Sequence, residues 1–558
     1  LDNVASYFMR GKLKQIENDR ITVDSIGHLK DGDYVSFSLH SNIGEQSYND
    51  GKKIKIKSII EGKHIFLEEP LTIQLDDYHK VEWCLNKDDI TPQDIFDKHK
   101  DSGPNGSKGR AEVAKYCIQD CELCINLLLL LDIIPNNLAM ANVSFVPASY
   151  IFLRGQGVKV TSVVTKECSK RKTLIPELVK IPNLNTYVKM AKNNDTESEE
   201  ELKKKYDSRL EILKKVNDNL KKKPVMPLIE KDIYSSGEKL LRLEIVHDQG
   251  FRIPNRWELD QWIKLIKKKD DYVIPGYEGA IVLDPTPGIY LEDPIVVLDY
   301  ASLYPSSIIE KNISHETFID NPEIIDKLKL VDGVDYHTIV YDNWIYKGKG
   351  SGDTIDKILD EKNPKITCQF LTKKFMEDRN LGSMGIIPAV LNHLLSARSA
   401  TKKRMKKEPD EFKKKVLDGL QLAYKVTANS VYGQLGAKTS TIFKMELAAC
   451  TTSVGRERLT VDATNGVKEW ATIEGYEEPI VVYGDTDSVF VKFSRKNKEG
   501  KLLEGKEALE HCIKCGEESG EYIKNLMNSQ GKQPQVLEYE KTFWPFILLS
   551  KKRYTGDK

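Results

Sequence analysis

The chain has 558 residues, with 84 Lys and Arg against 84 Asp and Glu, so its formal net charge at pH 7 is +0. Hydrophobic residues make up 40%, which supplies large cores and excludes a disordered or collagen-like chain. The richest apolar run, 127–131, is far shorter than the roughly 18 residues of a membrane helix, and the neutral balance removes a globally basic surface as an argument for nucleic-acid binding.

At about 150 residues per domain this length suggests about four domains. The chain starts Leu1-Asp2-Asn3-Val4-Ala5, without an initiator Met or the zones of a secretory signal, and stops soon after Arg553-Tyr554-Thr555-Gly556. The expectation is therefore a fragment of a longer protein. Nine cysteines at no regular spacing fit a reducing, intracellular compartment better than a disulfide scaffold.

In chain order, residues 10–85 mix alternating runs such as 53–60 with the turn cluster Lys30-Asp31-Gly32-Asp33, which predicts a small β-rich module. A loop rich in Gly, Ser and Pro at 101–106 leads into a helix over 110–131. That helix carries Cys117, Cys121 and Cys124, a literal C-x3-C-x2-C spacing. An iron–sulfur cluster needs thiolates on a loop that wraps it, whereas i, i+4 and i+7 share one helix face, so packed core cysteines are expected. Residues 193–223 turn to Glu and Lys with spaced leucines, an exposed helical excursion.

The apolar run 294–298 reads as a buried strand closed by Asp299. Helical patterns follow at 389–407 and 411–434, then a strand at 479–483. Cys512 and Cys515 beside His511 form a lone pair without the second ligand pair of a zinc site. The order strand, helices, strand hairpin predicts a mixed α/β core.

Asp485 and Asp487 sit in Tyr483-Gly484-Asp485-Thr486-Asp487-Ser488 between two apolar runs, which predicts a β-hairpin with acids at its turn. Carboxylates at strand ends are held rigidly yet reach solvent, as hard divalent cations require. Two such tips side by side would hold two Mg²⁺ for phosphoryl transfer. Turn acids that merely cap a sheet are the competing reading. Arg398 and Lys402, i and i+4 on one helix, with Lys425, Asn429 and Tyr432 at i, i+4 and i+7 on the next, form the stripe a triphosphate would need opposite its metals. The apolar neighbours of Lys425 predict an embedded ammonium, while Lys403 to Lys407 read as a solvated face.

Together these segments resemble the family B, or polymerase alpha-like, DNA polymerases. Asp299-Tyr300-Ala301-Ser302-Leu303-Tyr304-Pro305-Ser306 is similar to that family's motif A. Lys425 through Asn429-Ser430-Val431-Tyr432-Gly433 resembles motif B, 483–488 motif C, and Lys551-Lys552-Arg553-Tyr554 the KKRY element that grips primer-template. Tyr277-Glu278-Gly279-Ala280 and Thr452-Ser453-Val454-Gly455-Arg456 look like supporting elements. Tyr116 and Asp120 match the third exonuclease motif, Y-x3-D.

The resemblance implies a multidomain α/β (α+β) fold: the C-terminal part of an RNase H-like 3′–5′ exonuclease domain over 1–145 with a β-rich insert at 10–85, and then a right-hand polymerase. Residues 146–385 would be linker and N-terminal palm, an antiparallel sheet with motif A and a charged insert at 190–225. Residues 386–440 would be helical fingers, 441–549 the rest of the palm, and 550–558 the start of a thumb. It implies that Asp299, Asp487 and the Tyr300 carbonyl ligate two Mg²⁺, replaceable by Mn²⁺, with Asp485 as a secondary catalytic acid. Ser302, Leu303, Tyr304, Arg398, Lys402, Lys425 and Asn429 would bind the nucleotide, with Tyr304 beneath the sugar as a barrier to a 2′-hydroxyl. Tyr432 and Gly433 would line the base pair, and Lys551, Lys552, Arg553 and Tyr554 would hold DNA.

Implied partners are primer-template DNA and deoxynucleoside triphosphates, with room for a sliding clamp or processivity factor and none for a membrane. The insert before Tyr116 and the long interval between motifs A and B resemble polymerases of large nucleocytoplasmic DNA viruses, which implies a host nucleus or cytoplasmic viral factory. The acidic exonuclease motifs that should precede Tyr116 are missing from 1–115, so proofreading is expected only of a longer parent. A catalytically silent DNA-binding or structural relative is the alternative, which the intact Asp299 and Asp487 disfavour.

Overall fold

The computed structural model describes residues 2–41, 44–86, 90–173, 272–348 and 355–558. The charged stretch expected over 190–225 lies outside these residues. Two compact units divide the chain, Leu1–Leu138 and Ala139–Lys558. No described helix is long and apolar enough to cross a membrane.

The first unit holds strands β1 (Arg10–Glu17), β2 (Arg20–Val23), β3 (Tyr34–Ser41), β4 (Gly44–Ser47), β5 (Ile54–Ile60), β6 (His64–Leu67) and β7 (Lys80–Asn86). Their order is β4-β3-β5-β6-β2-β1-β7, and β7 returns to pair with β3 from Tyr34↔Asn86 to His40↔Lys80. The expected β-rich module is thus a closed barrel, with β4 extending one end of β3. Closure removes the free edges of the barrel strands that would invite pairing with another chain, leaving an outer edge on the short β4. Alternation sends Val35 and Phe37, Ile54 and Ile56, and Ile65 and Leu67 inward. Trp83 fills the interior against Gly11, where a Cβ would stand 2.6 Å from the indole nitrogen.

The helix Gly106–Leu130 adds Leu123 and Leu127 to the barrel's core. Its cysteines do not pack there: Cys117, Cys121 and Cys124 are all exposed, which corrects the expectation of core thiols. The helix was long enough, but its buried stripe runs through the leucines, and at 100° per residue Cys124 points roughly 100° away from Leu123.

In the second unit the strands β10 (Ile295–Tyr300), β15 (Ile480–Asp485), β16 (Ser488–Lys492) and β17 (Leu537–Phe543) form a four-stranded antiparallel sheet. Their order is β15-β16-β10-β17. Smaller sheets flank it: β8 (Tyr272–Pro275) with β12 (Trp344–Gly348) and β13 (Ile355–Leu359), β11 (Tyr336–Asp342) with β14 (Lys365–Leu371), and β9 (Gly288–Tyr290) with β18 (Phe546–Ser550) and β19 (Arg553–Gly556).

β10 is apolar at every position from 295 to 298 because both faces are covered. Val296 and Leu298 join Val489, Val491 and Leu537 on one side, while Ile295 and Val297 meet Phe490 and Phe546 on the other. The helix Gly505–Ser529 lies close on the first face. Gly516 and Gly520 permit this: a Cβ would come within 2.6 Å of Val296 at the former and 3.1 Å of the Leu537 carbonyl at the latter. Cys512 and Cys515 are buried in that same core, as packing residues.

The helices Ile386–Lys407 and Glu411–Gly436 form a hairpin with a three-residue turn at 408–410. Asp410 caps the second helix by accepting from the Lys413 amide at 3.0 Å. Leu391, Leu394, Val431 and Leu435 bury the root of the hairpin.

Candidate active site

The site starts at the end of β10. Asp299 stands opposite Ser488 of β16 and Glu538 of β17, so three strands converge on it. The expected hairpin is present: Asp485 pairs with Ser488, and Thr486 takes a left-handed φ of 59° in the turn. The Tyr300 amide donates to the Asp487 carbonyl at 2.8 Å, which fastens the turn beside the end of β10. The Tyr300 phenol is buried and donates to the Arg458 carbonyl at 2.9 Å, which fixes the residue from its other end.

The two tips place carboxylates where they repel. Burial, then the Asp487 and Glu540 charges, push the Asp299 carboxyl up to about 7. Asp487 is raised as well, by burial and by Asp485 and Glu540, while Lys425 pulls both acids the other way. Asp485 is differently engaged. Lys552 Nζ donates to both of its oxygens at 2.9 Å, and the Thr486 hydroxyl donates at 3.0 Å. A carboxylate already paired with an ammonium is the poorer cation ligand.

Among the described residues no three acidic, His or Cys side chains converge as a ready-made metal cage. Asp299 and Asp487 still fit Mg²⁺, which typically takes one or two carboxylates and draws its remaining oxygens from water and substrate phosphates. Their upward shifts record burial and like charges held together, which Lys425 opposes, and a divalent cation would favour the ionised form of both.

Opposite the acids stands the helical hairpin. Arg398 Nε donates to Gln421 at 3.3 Å. Burial lowers the Arg398 guanidinium and the Lys402 ammonium; at Lys402 repulsion from Arg398, Lys425 and Lys406 adds to it, and Glu538 opposes it at both. The three expected cations Arg398, Lys402 and Lys425 are therefore near neighbours. Lys425 is exposed, however, and not embedded as its apolar neighbours suggested. Leu422 is exposed too, so the apolar stretch around Lys425 does not enclose it. Asn429 and Gly433 are also exposed on this helix.

Ser302 adopts φ 60°, ψ 56° at the start of the helix Leu303–Glu310 and turns the chain out of β10; Leu303 is buried beneath. Tyr304 then stacks on Tyr432, ring centroids 4.4 Å apart at 30°. Tyr432 shares a hydrogen bond with Tyr277, and burial pushes the Tyr304 phenol up to about 12. Gly455 makes room, since a Cβ there would lie 3.0 Å from the Tyr304 ring. Arg456 Nη1 donates to the carbonyls of Glu278 and Gly279 at 2.7 and 2.9 Å, and Thr452 donates to Glu278 at 2.8 Å. The two supporting sequence elements thus meet at this tyrosine floor.

The Lys551–Lys552 turn folds back onto the acidic hairpin. Lys551 pairs with Asp284 at 2.8 Å, the Lys552 amide donates to the Tyr483 hydroxyl at 2.9 Å, and Tyr554 packs edge-on against Phe490. Arg553 is exposed. Tyr116 and Asp120 lie on the helix Gly106–Leu130 of the first unit, apart from the residues above in the chain's division. Sequence reasoning missed Glu538 and Glu540. The signal was the alternating acid pair in Leu537-Glu538-Tyr539-Glu540, legible only once β17 is known to flank β10.

A family model described as DNA polymerase family B matches residues 146–558. A DNA polymerase of Pyramimonas orientalis virus is 34% identical over all of this chain and 38% of its own length. One from Phaeocystis pouchetii virus is 30% identical over 93% of this chain and 43% of its own. The DNA polymerase delta catalytic subunit of Schizosaccharomyces pombe is 35% identical over 53% of this chain and 24% of its own. Among solved structures, the family B DNA polymerase from Pyrobaculum calidifontis aligns with 84% of this chain and 39% of its own at 19% identity and a TM-score of 0.41, too slight a likeness to carry the fold. The chain spans about two fifths of the length of the viral relatives it matches. With its acids, cations and tyrosine floor gathered in the matched region, this chain belongs to DNA polymerase family B.

Proposed function

We propose that this chain carries the nucleotidyl-transfer site of a template-directed DNA polymerase serving viral DNA replication. The second unit would comprise palm and fingers, its four-stranded sheet the palm and its helical hairpin the fingers. The first would be the end of an exonuclease domain interrupted by the barrel. The observation that carries the reading is the pairing of Asp299 and Asp487 at adjoining strand ends, fastened by the Tyr300 amide and faced by Lys425.

In this reading Asp299 and Asp487 hold two Mg²⁺, Mn²⁺ serving as a substitute, with the Tyr300 carbonyl assisting. When bound, the ions neutralise the phosphoryl group and lower the pKa of the attacking 3′-oxygen. Arg398, Lys402 and Lys425 orient the triphosphate, so the primer end meets the α-phosphorus in line and pyrophosphate leaves toward the cations. Tyr304, braced by Tyr432, closes the space a 2′-hydroxyl would need. The Lys551–Tyr554 turn meets duplex backbone, while base pairing supplies sequence.

Primer extension by the full-length protein, with deoxy- and ribonucleoside triphosphates supplied in turn, tests the reading. Extension should be template-directed and deoxy-selective, and Asp487→Asn should retain primer-template binding while losing extension by roughly 10³-fold or more. Normal extension by that variant would refute the metal assignment.

A further inference from the structure

The cationic stripe on the first helix of the hairpin is longer than a triphosphate needs. Arg398, Lys402 and Lys406 recur at i, i+4 and i+8, close enough that Lys406 repels Lys402. At 1.5 Å per residue Lys406 lies about 12 Å along the axis from Arg398, past the reach of one nucleotide's phosphates. From 402 to 418 the tip carries eight Lys and Arg against four Asp and Glu, in a chain whose overall balance is zero. Lys403, Lys406, Lys407 and Lys413 are exposed on both sides of the turn. Lys414 is partly answered by Glu411 at 3.4 Å. Among these cations Phe412 is 68% exposed, and Val416, one turn on, is 39% exposed.

A merely solvated charged face does not call for an exposed phenyl ring at its centre. A polyanion with planar bases does, because backbone phosphates track the cations while an unpaired base stacks on the ring. Resting on the polymerase reading above, we propose that the hairpin tip is a binding surface for the uncopied single-stranded template ahead of the site. It would add affinity in proportion to the overhang and keep the strand extended before it is paired.

The test is binding of the full-length protein to two fluorescent primer-templates, with 5′ overhangs of about 2 and about 20 nucleotides. The variants are Lys403→Ala/Lys406→Ala/Lys407→Ala/Lys413→Ala and, separately, Phe412→Ala, all at exposed positions. For the quadruple variant, affinity for the long overhang should fall about tenfold or more and its salt slope by about 0.7 per lost contact, with the short overhang unaffected. Phe412→Ala should lose several-fold on the long overhang without changing the salt slope. Equal losses on both substrates, or none, overturn the proposal. So does a change confined to the KM for nucleotide, which would make the tip a triphosphate-capture surface. Extension on the short overhang reports separately on the polymerase reading: if wild type fails there, that reading fails, whereas the overhang comparison still judges the tip.

Discussion

Asp299 is the residue whose environment says most. Its carboxyl is held up to about 7 by burial and by Asp487 and Glu540, so near neutrality it is divided between its protonated and ionised forms. In the proposed reading, proton and Mg²⁺ compete for it. The Mg²⁺ concentration for half-maximal extension should rise about tenfold for each pH unit below about 7 and level off above it; a flat profile from pH 5.5 to 8 would contradict the assignment. In the proposed reading Tyr304 acts by shape instead. Stacked on Tyr432 and seated over Gly455, its ring has little room to swing aside. Tyr304→Ala should admit ribonucleotides at least about tenfold more readily, measured as the ratio of kcat/KM values, with deoxynucleotide extension retained. Unchanged sugar discrimination would refute the steric role.

At the scale of elements, a buried ionic network supports the floor of the site. Arg458, fully buried in the π-helical turn Arg458–Ala463, donates through Nε and Nη2 to both oxygens of Glu310 at 3.1 and 2.6 Å. Gln535 donates to the same carboxylate at 3.1 Å, and Lys532 pairs with Asp462 at 2.8 Å. Because the Arg458 carbonyl also receives the Tyr300 phenol, the network ties motif A to the helix behind it. Arg458→Met should destabilise the protein by about 3–5 kcal/mol in urea unfolding, since Glu310 is left buried with a weaker partner set. A loss under about 1 kcal/mol would show that Gln535 suffices together with Lys311, whose ammonium pairs with Glu310 at 3.2 Å.

A second link joins His315 to the Ile442 carbonyl, to which its Nε2–H donates at 3.1 Å. Burial and the nearby Lys444 lower this imidazole from 6.5 to about 4. The fold therefore holds it neutral while the unfolded chain protonates it near 6.5. Its contribution is complete above that value and is lost as pH falls toward 4, on the order of 1–3 kcal/mol. His315→Gln should flatten the fall in thermal midpoint between pH 6.5 and 4, and an unaltered slope would exclude the residue.

Across the whole molecule, legibility followed the range of the interactions. The hairpin acids and the two long helices were readable because turn chemistry and helical period are local. The covered strand β10 was readable because burial on both faces leaves an unbroken apolar run. Barrel closure was hidden, since the pairing of β3 with β7 depends on register between residues 40 positions and more apart. The cysteine helix misled because its period was visible but the choice of buried stripe belonged to Leu123 and Leu127. Lys425 misled because apolar neighbours in sequence did not enclose it. Glu538 and Glu540 became visible only through strand order.

The polymerase reading requires that Asp299 and Asp487 together hold the divalent ions of nucleotidyl transfer. Mn²⁺ binding, counted by electron paramagnetic resonance on the full-length protein with primer-template and a non-hydrolysable deoxynucleoside triphosphate, tests it most directly. Wild type should bind two ions, and Asp299→Asn and Asp487→Asn should each lose at least one or weaken it by 100-fold or so. Two ions bound with unchanged affinity in both variants would exclude these carboxylates as the metal ligands.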